Sequence, residues 1–73
     1  MTAHQRAVAV LMKHGPMRTQ DFAVIMWPTA WRHCENKIRF CTETGYFLAK
    51  MERRGLIRKN GSREYYVRKE DHD

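Results

Sequence analysis

The chain has 73 residues, with 14 Lys and Arg against 8 Asp and Glu and a formal net charge of +6. That length implies one domain with a modest core and leaves no room for a deep catalytic cleft, while the charge argues for an acidic partner. Two cysteines, Cys34 and Cys41, are too few for a disulfide scaffold and read as free thiols of a reducing compartment.

In chain order, Thr2 and Gln5 have capping-box spacing, so a first helix is expected from Ala3 to His14. Ala3, Ala7, Val8, Val10, Leu11 and Met12 give it a broad apolar arc, and Gly15-Pro16 stops it. Met17 and Arg18 then form a short extended segment able to pair with the edge of a later hairpin. Thr19 is expected to cap a second helix running from Gln20 to Trp27 and ended by Pro28. That helix is apolar almost all round, which implies burial or a patch for a partner.

Residues 28–41 show no clear period and read as an irregular loop anchored by Trp31, Ile38 and Phe40, with Arg32, Lys37 and Arg39 outward. A third helix over 42–54 follows. At 3.6 residues per turn, Thr44, Phe47, Leu48 and Met51 share its core face, and Thr42, Tyr46, Ala49, Lys50 and Arg53 lie opposite. Gly55 supplies the left-handed residue that ends it, and Asn60-Gly61 suits the tight turn of a hairpin over 56–68, with one of Tyr65 and Tyr66 packed inward. The domain is expected to span 1–69, with 70–73 a frayed acidic tail. Residues 30–69 carry 11 basic and 4 acidic side chains, so the positive charge sits on the helix-hairpin half, the footprint of nucleic-acid binding.

The run Phe47-Leu48-Ala49-Lys50-Met51-Glu52-Arg53-Arg54-Gly55-Leu56-Ile57 is similar to the Leu-x-x-Leu-x-x-x-Gly-Leu-Ile/Val signature that ends the recognition helix of winged helix-turn-helix domains, and Thr19-Gln20-Asp21-Phe22-Ala23 resembles the start of that family's second helix. The order of elements resembles the family from Thr2 to Arg68. The resemblance implies an α+β fold, a three-helix winged helix-turn-helix with a C-terminal two- or three-stranded antiparallel β wing. It further implies a third helix in the major groove of double-stranded DNA and a wing on the backbone or in the minor groove. Carried over by position, Thr42, Gly45, Tyr46, Ala49, Lys50 and Arg53 face the groove, and Arg58, Lys59, Asn60, Ser62 and Arg63 lie on the wing. The connection between the second and third helices is much longer here than the family's tight turn.

Lys50 and Arg53 suit phosphates, while Thr42 and Tyr46 stand nearer the inserted end, with Gly45 allowing close backbone approach. No Asn, Gln or Arg stands in the first two turns of 42–54, so bidentate base recognition falls to Arg39 or the wing. His33, Cys34 and Cys41 lack the second close ligand pair of a structural zinc site, and neither a phosphate-binding glycine loop nor paired carboxylates occur. No metal, cofactor or enzymatic activity is therefore expected. The leading expectation is a transcriptional regulator that occupies a DNA site, as a homodimer through the first helix. Alternatives are a protein-interaction module using the second helix and residues 27–40, and binding to structured RNA. The N-terminus lacks the pattern of a secretory signal and no apolar run reaches membrane-span length, so a soluble cytoplasmic protein is expected.

Overall fold

In a computed structural model, which describes residues 1–68, four helices precede a small antiparallel hairpin, an α+β arrangement. Helix α1 (Ala3–His14) begins with the expected capping box: the Thr2 hydroxyl accepts from the Gln5 amide at 3.1 Å and the Gln5 side chain accepts from the Thr2 amide at 2.9 Å. Its apolar arc buries Ala7 and Leu11, half-buries Val8 and Val10, and leaves Met12 at the surface. Gly15 closes the helix at φ 79°, ψ −161°, a conformation open in practice only to glycine.

Helix α2 (Thr19–Met26) differs from expectation at its start. Thr19 is already helical, and Arg18 is the N-cap without a side-chain hydrogen bond. The helix buries Phe22, Ala23 and Met26 against the core, whereas Val24 and Ile25 are 37% and 40% exposed. It is therefore amphipathic and not buried all round.

The segment expected to be a loop is largely helical. Pro28 ends α2 and also opens α3 (Pro28–His33), since proline lacks only an amide that the first turn leaves unpaired and its φ is preset for helix. After a short break, α4 runs over Lys37–Arg53, beginning five residues before the expected Thr42. Asn36 is its cap, with Oδ1 accepting from the Arg39 amide at 3.0 Å. Thr42 lies inside the helix instead, and its hydroxyl donates to the Ile38 carbonyl at 3.0 Å. The described residues thus hold four helices, not three. Of the expected loop anchors, Trp31 and Phe40 are half-buried, but Ile38 is 82% exposed because the helical turn that carries it points it away from the core.

The C-terminus of α4 closes as expected. Gly55 takes φ 78°, its amide donates to Glu52 O at 2.9 Å, and the Leu56 amide donates to Met51 O at 3.1 Å. This is a Schellman closure, and Leu56 packs on the core just beyond it.

Strands β1 (Arg58–Lys59) and β2 (Tyr65–Tyr66) pair antiparallel, Arg58 with Tyr66 and Lys59 with Tyr65. On the other side of β2, Met17 and Tyr65 exchange two backbone hydrogen bonds of 3.0 and 2.8 Å, so the extended Met17 does join the hairpin edge. Tyr65 is the inward member of the tyrosine pair, at 5% exposed.

The core joins Leu11 of α1, Phe22 and Met26 of α2, Leu48 and Met51 of α4, Met17, Ile57 and Tyr65. Three of these eight are methionines, unbranched side chains that fill irregular gaps between short elements. An aromatic chain runs beside it. His4 stacks on Phe47 at 5.3 Å, Phe47 meets the edge of Trp27 at 5.4 Å, and Trp27, Phe40 and Trp31 continue it at 6.3 and 5.5 Å. Through these rings α3 is held against α2 and α4. The expected tail 70–73 lies outside the described residues, and no helix among those described is long and apolar enough to cross a membrane.

Candidate nucleic-acid interface

The 3.6-residue period that turns Thr44, Leu48 and Met51 into the core leaves a solvent stripe along the opposite side of α4. Thr42, Tyr46, Lys50 and Arg53 are exposed on it, with Gly45 and Ala49 half-buried between them. Tyr46 is 72% exposed. The earlier start of the helix extends this stripe by more than a turn, adding Ile38 and Arg39 at its N-terminal end. Arg39 forms an i, i+4 ion pair with Glu43 at 3.4 Å, an exposed contact that restrains its guanidinium only weakly.

The hairpin tip has a conformation that the Asn60-Gly61 signal does not describe. Neither residue takes a positive φ; the left-handed residue is Arg63, at φ 62°. Its amide donates to Asn60 O at 3.2 Å and the Asn60 amide donates to Glu64 O at 2.9 Å, so residues 61–63 form a three-residue loop that ends in a bulge. The Asn60 side chain dictates this choice. Its Oδ1 accepts from the amides of Ser62 and Glu64 at 3.0 and 2.9 Å, and its Nδ2 donates to the Glu64 carboxylate at 3.1 Å. Asn60 thus shapes the tip and has little left to offer a ligand. Lys59 lies 5.5 Å above the Tyr65 ring, a cation-π contact that steadies it on the hairpin arm. Arg58, Ser62 and Arg63 are exposed.

A left-handed arginine is strained by its Cβ, by about 1 kcal/mol. Arg63→Gly is accordingly expected to stabilise the fold by about 0.5 kcal/mol, the relieved strain outweighing glycine's larger unfolded-state entropy. A rise in urea midpoint at unchanged slope would register this.

The elements meet on one face. A depression lined by Arg18, Thr19, Gln20, Cys41, Gly61, Ser62 and Arg63 joins the start of α2 to the hairpin tip across α4. A second, lined by Thr19, Gln20, Trp31, Lys37, Ile38, Cys41 and Thr42, shares Thr19, Gln20 and Cys41 with the first, so the two are continuous. Lys37 is held at the rim of this face, its ammonium 4.7 Å over the Trp31 ring and donating to the Trp31 carbonyl. The start of α2 brings unpaired amides and the positive end of a helix dipole to the same place, since Arg18 supplies no capping side chain.

Of the residues singled out from sequence, Thr42, Ser62 and Arg63 line this continuous face. Gly45, Tyr46, Ala49, Lys50 and Arg53 extend it along α4, while Arg58 and Lys59 sit on the hairpin arms. Sequence reasoning missed Arg18, Gln20, Lys37 and Ile38. For Lys37 and Ile38 the available signal was Asn36, a good helix cap one residue ahead.

Cys34 and Cys41 are free thiols, and Cys34 donates to the Asn36 carbonyl at 3.0 Å. Among the described residues no group of His, Cys, Asp and Glu is placed to hold a metal ion. Comparison with protein-family models, with curated proteins and with solved structures gives no match to this chain.

Proposed function

We propose that the protein binds double-stranded DNA in the manner of a winged helix-turn-helix domain, with α4 in the major groove and the β1–β2 hairpin as the wing, and that it regulates transcription by occupying its site. The observation that carries this reading is the continuous face on which the start of α2, the outer stripe of α4 and the hairpin tip converge with Arg18, Lys37 and Arg63. Arginine and lysine there displace counterions from phosphate, and the unpaired amides at the start of α2 suit a phosphate oxygen. Helix α3 stands where the family has a tight turn, and its Trp31 meets Phe40 of α4 edge to face. The chemistry is recognition alone. One such domain covers few base pairs, so occupancy of a palindromic site by two copies follows naturally.

Fluorescence anisotropy of the purified chain with random-sequence duplex DNA tests the proposal. Binding that weakens linearly in log–log terms with salt, with a slope of several units, is the expected result. No binding at low salt would reject it, and stronger competition by structured RNA than by duplex DNA would redirect it.

A second reading rests on the apolar side of the molecule. Val24 and Ile25 of α2 are partly exposed, and Trp27, Ala30, Phe40 and Phe47 line an open apolar groove between α2, α3 and α4. A protein partner docked there would be lost on Val24→Asp and indifferent to charge reversal on the hairpin.

A further inference from the structure

Within the DNA-binding reading, on which this inference rests, we propose that Ile38 is a specificity-determining residue that reads the C5-methyl group of thymine. Ile38 is 82% exposed in the first turn of α4, where it adds nothing to the core. It is the leading member of a stripe at i, i+4 and i+8 with Thr42 and Tyr46. Thr42 does not interrupt that stripe with a hydrogen-bond donor aimed outward, because its hydroxyl is already engaged by the Ile38 carbonyl at 3.0 Å. Thr42 then offers a ligand its methyl group and an acceptor oxygen, with its one donor already used. The leading end of α4 thus carries an exposed isoleucine on its centre line, with Lys37 at the rim and Arg39, ion-paired to Glu43, one residue on.

Charge and apolarity in that arrangement suit the floor and walls of the major groove. The phosphates that border the major groove complement the flanking cations, and the thymine methyl is the one apolar group on the base edges between them. The preference expected is for thymine at one or two adjacent positions under the N-terminal end of α4.

Replacing thymine by uracil removes that methyl and leaves every hydrogen-bonding group in place. The full chain is used to select a preferred duplex from a random library, and uracil is then substituted for each thymine in turn. Wild-type protein is expected to lose about four-fold in affinity per contacted methyl, the equivalent of burying one methyl-sized group. Ile38→Ala, which removes an exposed side chain and should melt like the wild type, is expected to bind thymine and uracil duplexes alike at those positions. Lys50→Ala should weaken both duplexes equally. Salt-sensitive binding by the wild type that is indifferent to uracil, or a uracil penalty that survives in Ile38→Ala, overturns the assignment and leaves the DNA-binding reading standing. Absence of duplex binding at every salt concentration overturns both.

Discussion

Reversing charge at Arg53 and Arg63 together is expected to lower affinity for duplex DNA by about 100-fold at about 0.1 M salt, since each phosphate contact contributes roughly one unit of salt slope and so about ten-fold there. The two side chains belong to different elements, the last turn of α4 and the hairpin tip, and both are exposed. Their replacement therefore leaves the core untouched. Arg63 is the more telling of the two, because it occupies a backbone conformation that glycine or asparagine would hold at lower cost. The strained position thus puts a cation at the tip that the proposal sets against phosphate. The measurement is anisotropy across a salt series, in which the double variant should show a slope shallower by about two. Unchanged affinity with an unchanged slope would move the interface off this face.

Phe22→Ala is expected to cost about 3–5 kcal/mol of stability, the range for emptying a fully enclosed aromatic site. Phe22 is 0% exposed and meets Trp27 edge-on at 5.9 Å and Phe47 at 6.4 Å. It thus joins the aliphatic core to the aromatic chain that holds α3. A domain of 73 residues has a total stability of about 4–11 kcal/mol, so the loss is comparable with the whole. Urea unfolding followed by circular dichroism should show a much lower midpoint or no folded baseline. A shift worth less than about 1 kcal/mol would mean that the site collapses around the cavity and that the core is less ordered than its packing implies.

What could be read from the residues alone was what local chemistry decides alone. Thr2 and Gln5 cap α1 because their spacing satisfies two amides at once, and Phe47, Leu48 and Met51 face inward because the helical period leaves them no other common side. Gly55 ends α4 because few other residues tolerate its φ. Where two local choices compete, tertiary packing decided the outcome. Thr42 has the chemistry of a cap, but so has Asn36, and the extra turn between them is drawn into helix as Phe40 packs on Trp27 and Trp31. Pro28 can stop one helix and begin the next, and only the aromatic contacts of the following turn distinguish the two. At the hairpin tip, the Asn60 side chain finds three hydrogen-bond partners in a bulged loop. Two of them involve Glu64, beyond the dipeptide from which a tight turn is inferred. Ile38 escaped notice for a related reason: residue type alone marks it as core, and its exposure depends on where the helix begins.

The Met17–Tyr65 bridge ties the hairpin to the segment between α1 and α2, and this shapes the route to the native state. Helices α1 and α3 each pack on their chain neighbour α2, and α4 packs on α2 across the short α3, encounters that need only modest loops and occur early. The bridge closes a loop over residues 17–65, about two-thirds of the chain, an entropic cost that is recovered only once the helices supply a surface for Tyr65 to bury against. The hairpin should therefore dock last. It should also be the first element to detach under stress, opening the face shared by the hairpin tip and the start of α2 while the helical body still holds.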